Sequence, residues 1–214
     1  MISRPRGRLV GCLLGLAVLA GVGYTLWWRT HPSPCPYSQR YWIGLPRPII
    51  TRSRLRGILR PQSDDRILEV GPGTGYYALP VARWLEPDGA LHVVDIQQEM
   101  LDHTRIRAQQ ERLKVEPMRG DAENLPYLDD SFDAAYLVTV LGEVPDQNQA
   151  LRELIRVLRP GGRLVVGELV PDPHFVAFEA LRHRAERRGF QFTERAGNRF
   201  GYFARFRVPK RAAN

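Results

Sequence analysis

Between Ile67 and Pro80 the chain reads ILEVGPGTGYYALP: an apolar run closed by an acid, glycines at 71, 73 and 75, then a fresh apolar pattern. Those residues impose the order strand, glycine turn, helix. Glycine lets the backbone take left-handed conformations and lets a ligand approach the main chain. A helix that starts just beyond the turn aims free amide N–H groups and its positive dipole end at whatever lies over the sheet edge. Pro80 suits the first helical turn, where an amide hydrogen has no helical acceptor. The feature predicts a parallel α/β sheet with a ligand at the carboxyl ends of its strands. It leaves the ligand open, because a dinucleotide fingerprint, G-x-G-x-x-G, needs glycine at position 76 and the chain has Tyr76.

Downstream, strand and helix patterns alternate. RILEV, GALHVVDI, VEPMRGDA, FDAAYLVTVLG and RLVVGEL read as strands; GYYALPVARWLE, QEMLDHTRIRAQQERL and DQNQALRELIRVLRPGG read as helices. Strands separated by helices predict a parallel sheet covered on both faces. GFQFTERAGNRFGYFARFRV has no room for a helix between its apolar runs. It predicts an antiparallel hairpin turning near AGN, with Tyr202, Ala204, Phe206 and Val208 on one side and Arg205 and Arg207 on the other.

Two further strand ends carry acids. Asp95 closes LHVVD, twenty residues after Gly75, where a carboxylate can accept from both hydroxyls of a ribose over the glycine loop. Asp121, in GDAENLP, stands where an acid can accept from an exocyclic amine. Each has a plain structural alternative. DIQQ fits a helix cap with Gln98 in the capping-box position, and Asp121 beside Gly120 fits an ordinary turn. Glycine, acid and acid at three successive tips together describe a slot for an adenine nucleoside without a pyrophosphate.

ILEVGPGTG, VVDIQQEML, GDAENLPYLDDSFDAAYL and LRELIRVLRPGGRLVVGE, in this order and spacing, resemble the class I S-adenosylmethionine-dependent methyltransferases. The nearest group is the one that includes the ubiquinone/menaquinone-biosynthesis enzymes, and the resemblance covers residues 64–208. It implies a Rossmann-like, seven-stranded sheet with the last strand antiparallel, and S-adenosyl-L-methionine as cofactor. By position it implies that Glu69, Gly71, Gly73 and Gly75 frame the methionine part of the cofactor. Asp95 would bind the ribose and Ile96 would pack on adenine. Asp121 and Ala122 would meet the adenine edge, and backbone near Leu137 and Val138 would hold the amino-acid end.

Charge divides the chain in two. The formal net charge is +8, yet residues 1–63 hold ten arginines and no Asp or Glu, leaving 21 Lys plus Arg against 23 acids beyond them. A near-neutral domain argues against a phosphate-tracking groove, so no nucleic-acid partner is expected. Leu9 to Trp28 run twenty residues without a charge, enough at ~1.5 Å per residue for the roughly 30 Å of bilayer hydrocarbon. Arg4, Arg6 and Arg8 flank one end; Tyr24, Trp27, Trp28 and Arg29 mark the other. An uncleaved transmembrane helix is therefore expected within residues 1–30, in preference to a signal or transit peptide. Residues 31–63 are expected to be a Pro- and Arg-rich linker ending in a basic helix, IITRSRLRGILRP. Its apolar side would pack on the domain edge, with its arginines available to anionic lipid. Residues 64–214 are expected to form the methyltransferase domain. Since the methyl donor is kept in the cytosol, the expected localisation is a single-pass membrane protein with its catalytic domain on the cytoplasmic side. Cys12 and Cys35 offer no metal or disulfide framework.

In methyl transfer from a sulfonium the donor carries the activation and the protein aligns the partners. A base is needed only where the acceptor must lose a proton. The sequence shows no N-P-P-Y element. Tyr76, Glu143 and His174 are candidates near the pocket, each with a packing or capping explanation. The short inserts leave no cap domain for a polymer. With a membrane helix and an arginine-rich collar, the expected acceptor is small and lipophilic: a quinone precursor, a lipid or a hydrophobic metabolite. The alternatives are a non-catalytic scaffold and a nicotinamide-dependent oxidoreductase; Tyr76 and the terminal hairpin disfavour the latter.

Overall fold

A computed structural model describes residues 31–39, 41, 46–85, 87–170 and 172–210, together with the isolated glycines 15, 21 and 23. Its strands are β1 Arg66–Val70, β2 Ala90–Asp95, β3 Val115–Arg119, β4 Phe132–Val138, β5 Leu158–Leu169, β6 Gln191–Asn198 and β7 Gly201–Arg207. They form one sheet in the order β3-β2-β1-β4-β5-β7-β6. Pairing is parallel from β3 through β5, and β7 runs antiparallel to both β5 and β6. This is the mostly parallel α/β sheet with an antiparallel terminal hairpin that the sequence predicts. The winding reverses between β1 and β4, which opens a crevice at their carboxyl ends.

Five helices cover the sheet: α1 Arg52–Leu59, α2 Ala78–Trp84, α3 Gln98–Gln110, α4 Gln147–Val157 and α5 Phe178–Arg187. Successive strand residues point to opposite faces. On one face Leu68, Leu137, Leu164, Val166 and Phe206 form a core with Leu151 and Leu154 of α4 and Leu181 of α5. On the other, Ile67, Val93, Tyr136, Val165 and Phe203 pack with Leu55, Ile58 and Leu59 of α1 and Val81 of α2. β4 is central and buried along its whole length.

The expected basic helix is thus part of a core. Thr51 caps α1, its hydroxyl accepting from the Arg54 amide at 3.2 Å. Arg52, Arg54 and Arg56 stay exposed while Leu55, Ile58 and Leu59 are buried. This packing changes the reading of β7. Arg205, expected on the side opposite Tyr202, Ala204 and Phe206, is buried under α1 and donates to the Ile58 carbonyl at 3.1 Å. β7 is an interior strand with both faces covered, not an edge.

Other boundaries shift for local reasons. The helix expected through Gly162 stops at Val157, and β5 begins at Leu158. Arg159 precedes a proline and is steered toward extended backbone, and Pro160 cannot donate a helical hydrogen bond. The hairpin turns at Arg199 and Phe200, so AGN belongs to β6, where a register shift lies between Phe192 and Glu194. Helix α5 answers to no sequence expectation.

The membrane helix is corrected. Among the described residues no helix is long and apolar enough to cross a membrane. The longest, α3, has 13 residues and so spans about 20 Å, against roughly 30 Å of hydrocarbon. Apart from its glycines 15, 21 and 23, the expected span at 9–28 lies outside the described residues. The expected single-pass membrane localisation, with its cytoplasmic catalytic domain, loses its structural support with it.

Candidate cofactor site

A cavity of about 520 Å³ opens at the carboxyl ends of β1, β2 and β4, within the range of small-molecule pockets. Glu69, Gly71, Gly73, Asp95, Ile96, Asp121, Ala122 and Val138 all line it; Gly75 does not.

The loop is built by close backbone approach. Gly71, Gly73 and Gly75 have φ of 69°, 54° and 78°. A Cβ at Gly71 would stand 2.5 Å from Val140 Cγ2, so only glycine fits there. The Gly71 amide donates to the Val94 carbonyl at 2.8 Å. From α3, Thr104 Oγ1 donates to the Gly73 carbonyl at 3.0 Å and Arg107 Nη1 to the Thr74 carbonyl at 2.6 Å. Gly75 packs against Thr104 and Leu79, so it shapes the loop from behind.

Asp95, at the tip of β2, accepts from the Gln97 amide at 2.9 Å, a turn within the residues that precede α3. The capping box is not formed: Gln97 is the N-cap and makes no side-chain cap bond. Burial pushes the Asp95 carboxyl up to about 6, against amide bonds from Gln97, Gly73 and Ile96 that pull it down. Ile96 beside it is 45% exposed, an apolar surface presented to the cavity. Asp121 accepts from the Glu123 amide at 2.9 Å, closing the turn that carries Ala122.

Glu69 is 2% exposed, and its Oε2 accepts the Tyr136 hydroxyl at 2.7 Å. Burial raises its pKa to about 8, with the Tyr136 hydrogen bond opposing. Beyond Val138, Thr139 has φ 54°, a left-handed conformation that a β-branched residue adopts at a cost of about 1–3 kcal/mol. Its amide bonds to the Gly167 carbonyl at 2.7 Å, which holds the strained residue on the cavity wall.

Of the candidate catalytic side chains, Tyr76 and Glu143 line the cavity. His174 lies in a separate, smaller depression near the start of α5. Several lining residues were not read from the sequence, Arg47, Cys35 and Asp172 among them. Arg47 sits 5.6 Å and 5.5 Å from the ring centroids of Tyr76 and Tyr77. Cys35 bridges the cavity mouth, its amide donating to Glu143 Oε2 at 3.2 Å and its carbonyl accepting from Gln97 Nε2 at 2.9 Å. Asp172 follows β5 and accepts from the His174 amide at 2.8 Å. The signal of Cys35 and Arg47 is absent from local pattern, because both reach the site only through long-range folding. The lining therefore holds six carboxyl groups, on Glu69, Asp95, Asp121, Glu123, Glu143 and Asp172, against one guanidinium among the described residues.

A family model described as a methyltransferase domain matches residues 67–162. The chain is 34% identical over 122 residues to the ubiquinone/menaquinone biosynthesis C-methyltransferase UbiE of Geotalea daltonii, covering 56% of this chain and 52% of that protein. It is 36% identical to the demethylmenaquinone methyltransferase of Lactobacillus johnsonii, covering 51% and 46%. The chain spans about half the length of these curated relatives. Among solved structures, a SAM-dependent methyltransferase from Aquifex aeolicus superposes with a TM-score of 0.74 at 18% identity, covering 81% of this chain and 99% of that one. Residues 67–162 thus match a methyltransferase domain, and the superposition shows the Rossmann-like fold of the class I methyltransferases.

Proposed function

We propose that this protein transfers a methyl group from S-adenosyl-L-methionine to a small lipophilic acceptor of the quinone-precursor kind. The carrying observation is convergence: the glycine loop, Asp95 and Asp121 come from three successive strand tips and line one cavity. The donor set suits this cofactor. Asp95 is placed to accept from ribose hydroxyls, Ile96 to pack on adenine, and Asp121 with Ala122 to meet the adenine edge. Glu69, Gly71, Gly73 and backbone at Val138 frame the amino-acid end, and Arg47 lines the same cavity. Gly75 supports the loop. Six carboxyl groups against one guanidinium favour a cationic sulfonium and disfavour the pyrophosphate of a nicotinamide dinucleotide.

When bound, the cofactor supplies an activated methyl group. The chain's own residues align the acceptor with it and exclude water, and proximity of this kind supplies much of the rate gain. For the acceptor, the support is the apolar part of the lining, including Val140, Val144, Pro145 and Leu169, and the quinone-related names of the relatives.

Calorimetry with S-adenosylmethionine, S-adenosylhomocysteine and NADH tests the cofactor reading: the first two bind and the third does not. Asp95→Ala, which removes a charged hydrogen-bond acceptor worth about 1.5–3 kcal/mol, weakens S-adenosylhomocysteine on the order of 10- to 150-fold. Mass spectrometry of a lipid extract incubated with protein and cofactor then reads the acceptor as a species that gains one methylene in mass.

A further inference from the structure

Five of the six carboxyl groups in the cavity are occupied in building its walls. Glu69 holds the Tyr136 hydroxyl, and Asp95, Asp121, Glu123 and Asp172 each accept a backbone amide at 2.8 or 2.9 Å that fixes a turn or a helix start. Glu143 is different. It stands on the single 3-10 turn Leu141–Glu143 that follows β4. Among the described residues its Oε2 accepts a single bond, 3.2 Å from the amide of Cys35, a cavity-lining residue 108 positions away in sequence. The second carboxylate oxygen is left for whatever enters. Around it lie Asp172, Asp95 and buried Glu168, and the charges of Asp172 and Asp95 push its pKa further up. The thiol of Cys35 and the Arg47 guanidinium share that side of the cavity, since both Glu143 and Arg47 act on Cys35.

We infer that Glu143 is the proton acceptor of this reaction and that its substrate is a neutral, phenol-type molecule; this rests on the methyltransferase reading above. The hydroxyl proton passes to the Glu143 carboxylate, which becomes the neutral acid. The electron pair of the resulting phenolate forms the bond to the methyl carbon, and the pair of the broken methyl–sulfur bond stays on sulfur. Substrate choice follows from the same charges. An anionic carboxylate or phosphate acceptor would lie against Glu143 and Asp172 and be repelled, whereas a neutral hydroxyl is welcomed as a donor. Burial pushes the Glu143 carboxyl up to about 8, nearer to a phenol at roughly 10 than an ordinary glutamate is, and a matched base contributes typically about 10²–10⁴-fold.

The test compares Glu143→Gln and Glu143→Asp with the parent on two probes. One is 2-naphthol, protonated at the assay pH; the other is a polyfluorinated phenol already ionised there. Calorimetry with S-adenosylhomocysteine runs in parallel on all three proteins, and infrared titration follows the carboxyl groups. The expected result is a loss on the order of 100-fold on 2-naphthol for Glu143→Gln, partly recovered with Glu143→Asp, and no loss or a gain on the ionised phenol, which needs no base and which the parent's carboxylate repels. S-Adenosylhomocysteine affinity stays unchanged, and a carboxyl band titrating near pH 8 disappears in Glu143→Gln while the Glu69 band persists. Equal losses on both probes would overturn the base role. A parent that binds S-adenosylhomocysteine but methylates neither phenol would overturn the acceptor class while sparing the cofactor reading. Failure of the parent to bind S-adenosylhomocysteine would instead sink the methyltransferase reading itself.

Discussion

Gly71 shows how one residue fixes what the site can hold. Its φ of 69° and the 2.5 Å separation between a built Cβ and Val140 are two independent obstacles to any side chain. Gly71→Ala is expected to cost about 1–3 kcal/mol from backbone strain alone, with further displacement of the loop. The double variant with Val140→Ala separates the two obstacles. It relieves the clash but not the strain, so thermal stability and S-adenosylhomocysteine affinity recover in part only. Full recovery would show that the left-handed backbone carries no cost here. Residue placement was legible where it is local. Glu69, Gly71, Asp95 and Asp121 fall at strand tips that alternating pattern alone locates, and they line the cavity. Arg47 and Cys35 were not legible, because their place depends on how a proline-rich segment crosses the molecule, which no spacing encodes.

At the scale of elements, α1 carries the clearest consequence. It was expected to hug the edge of a domain beginning at residue 64, yet Leu55, Ile58 and Leu59 are buried against β5, β6 and β7. Leu55→Ala is therefore expected to lower unfolding free energy by about 2–5 kcal/mol, read by denaturant titration. A chain starting at residue 64 would uncover that whole face, including Phe203 and Val165. Several buried side chains at roughly 1.5–3 kcal/mol each rival the ~5–15 kcal/mol that holds a typical domain together. Such a chain is expected to aggregate or to show no cooperative transition, whereas one starting at residue 46 folds. The sequence revealed an amphipathic helix but not its partner: α1 covers Arg205, which donates to the Ile58 carbonyl and pairs with Glu194 of β6 at 2.8 Å. Helix α5 escaped notice for a related reason. Its buried stripe is just Leu181 and Ala185, amid arginines and glutamates that resemble a solvated loop.

Across the whole molecule, carboxyl groups with raised pKa gather at one end of the sheet. Burial is the leading cause for Glu69 and Glu143, each pushed up to about 8, for Asp95 at about 6, and for Asp172 and Glu168, both raised. In the unfolded chain such groups ionise near 4. Between that value and about 8 the folded state binds more protons than the unfolded one, so stability must fall as pH rises, by up to about 1.4 kcal/mol per pH unit for each group concerned. Glu153 works in the opposite sense. Its pKa is lowered by the Arg156 hydrogen bond, so its contribution is present above the unfolded value and lost on acidification. The ligand-free protein is therefore expected to be most stable in mildly acid solution and to lose stability toward pH 8. A cationic ligand should reverse the trend by drawing protons off the cavity acids. S-Adenosylmethionine carries the sulfonium charge and S-adenosylhomocysteine lacks it, while the two otherwise present the same groups to the cavity. The affinity ratio of the first to the second is thus expected to rise with pH, by about tenfold per unit for each proton released, and to level off above about 8. Calorimetry at pH 6, 7 and 8 measures it. A ratio that stays flat over that interval would mean that the sulfonium does not lie among Glu69, Asp95 and Glu143, and the placement of the cofactor across the strand tips would fail with it.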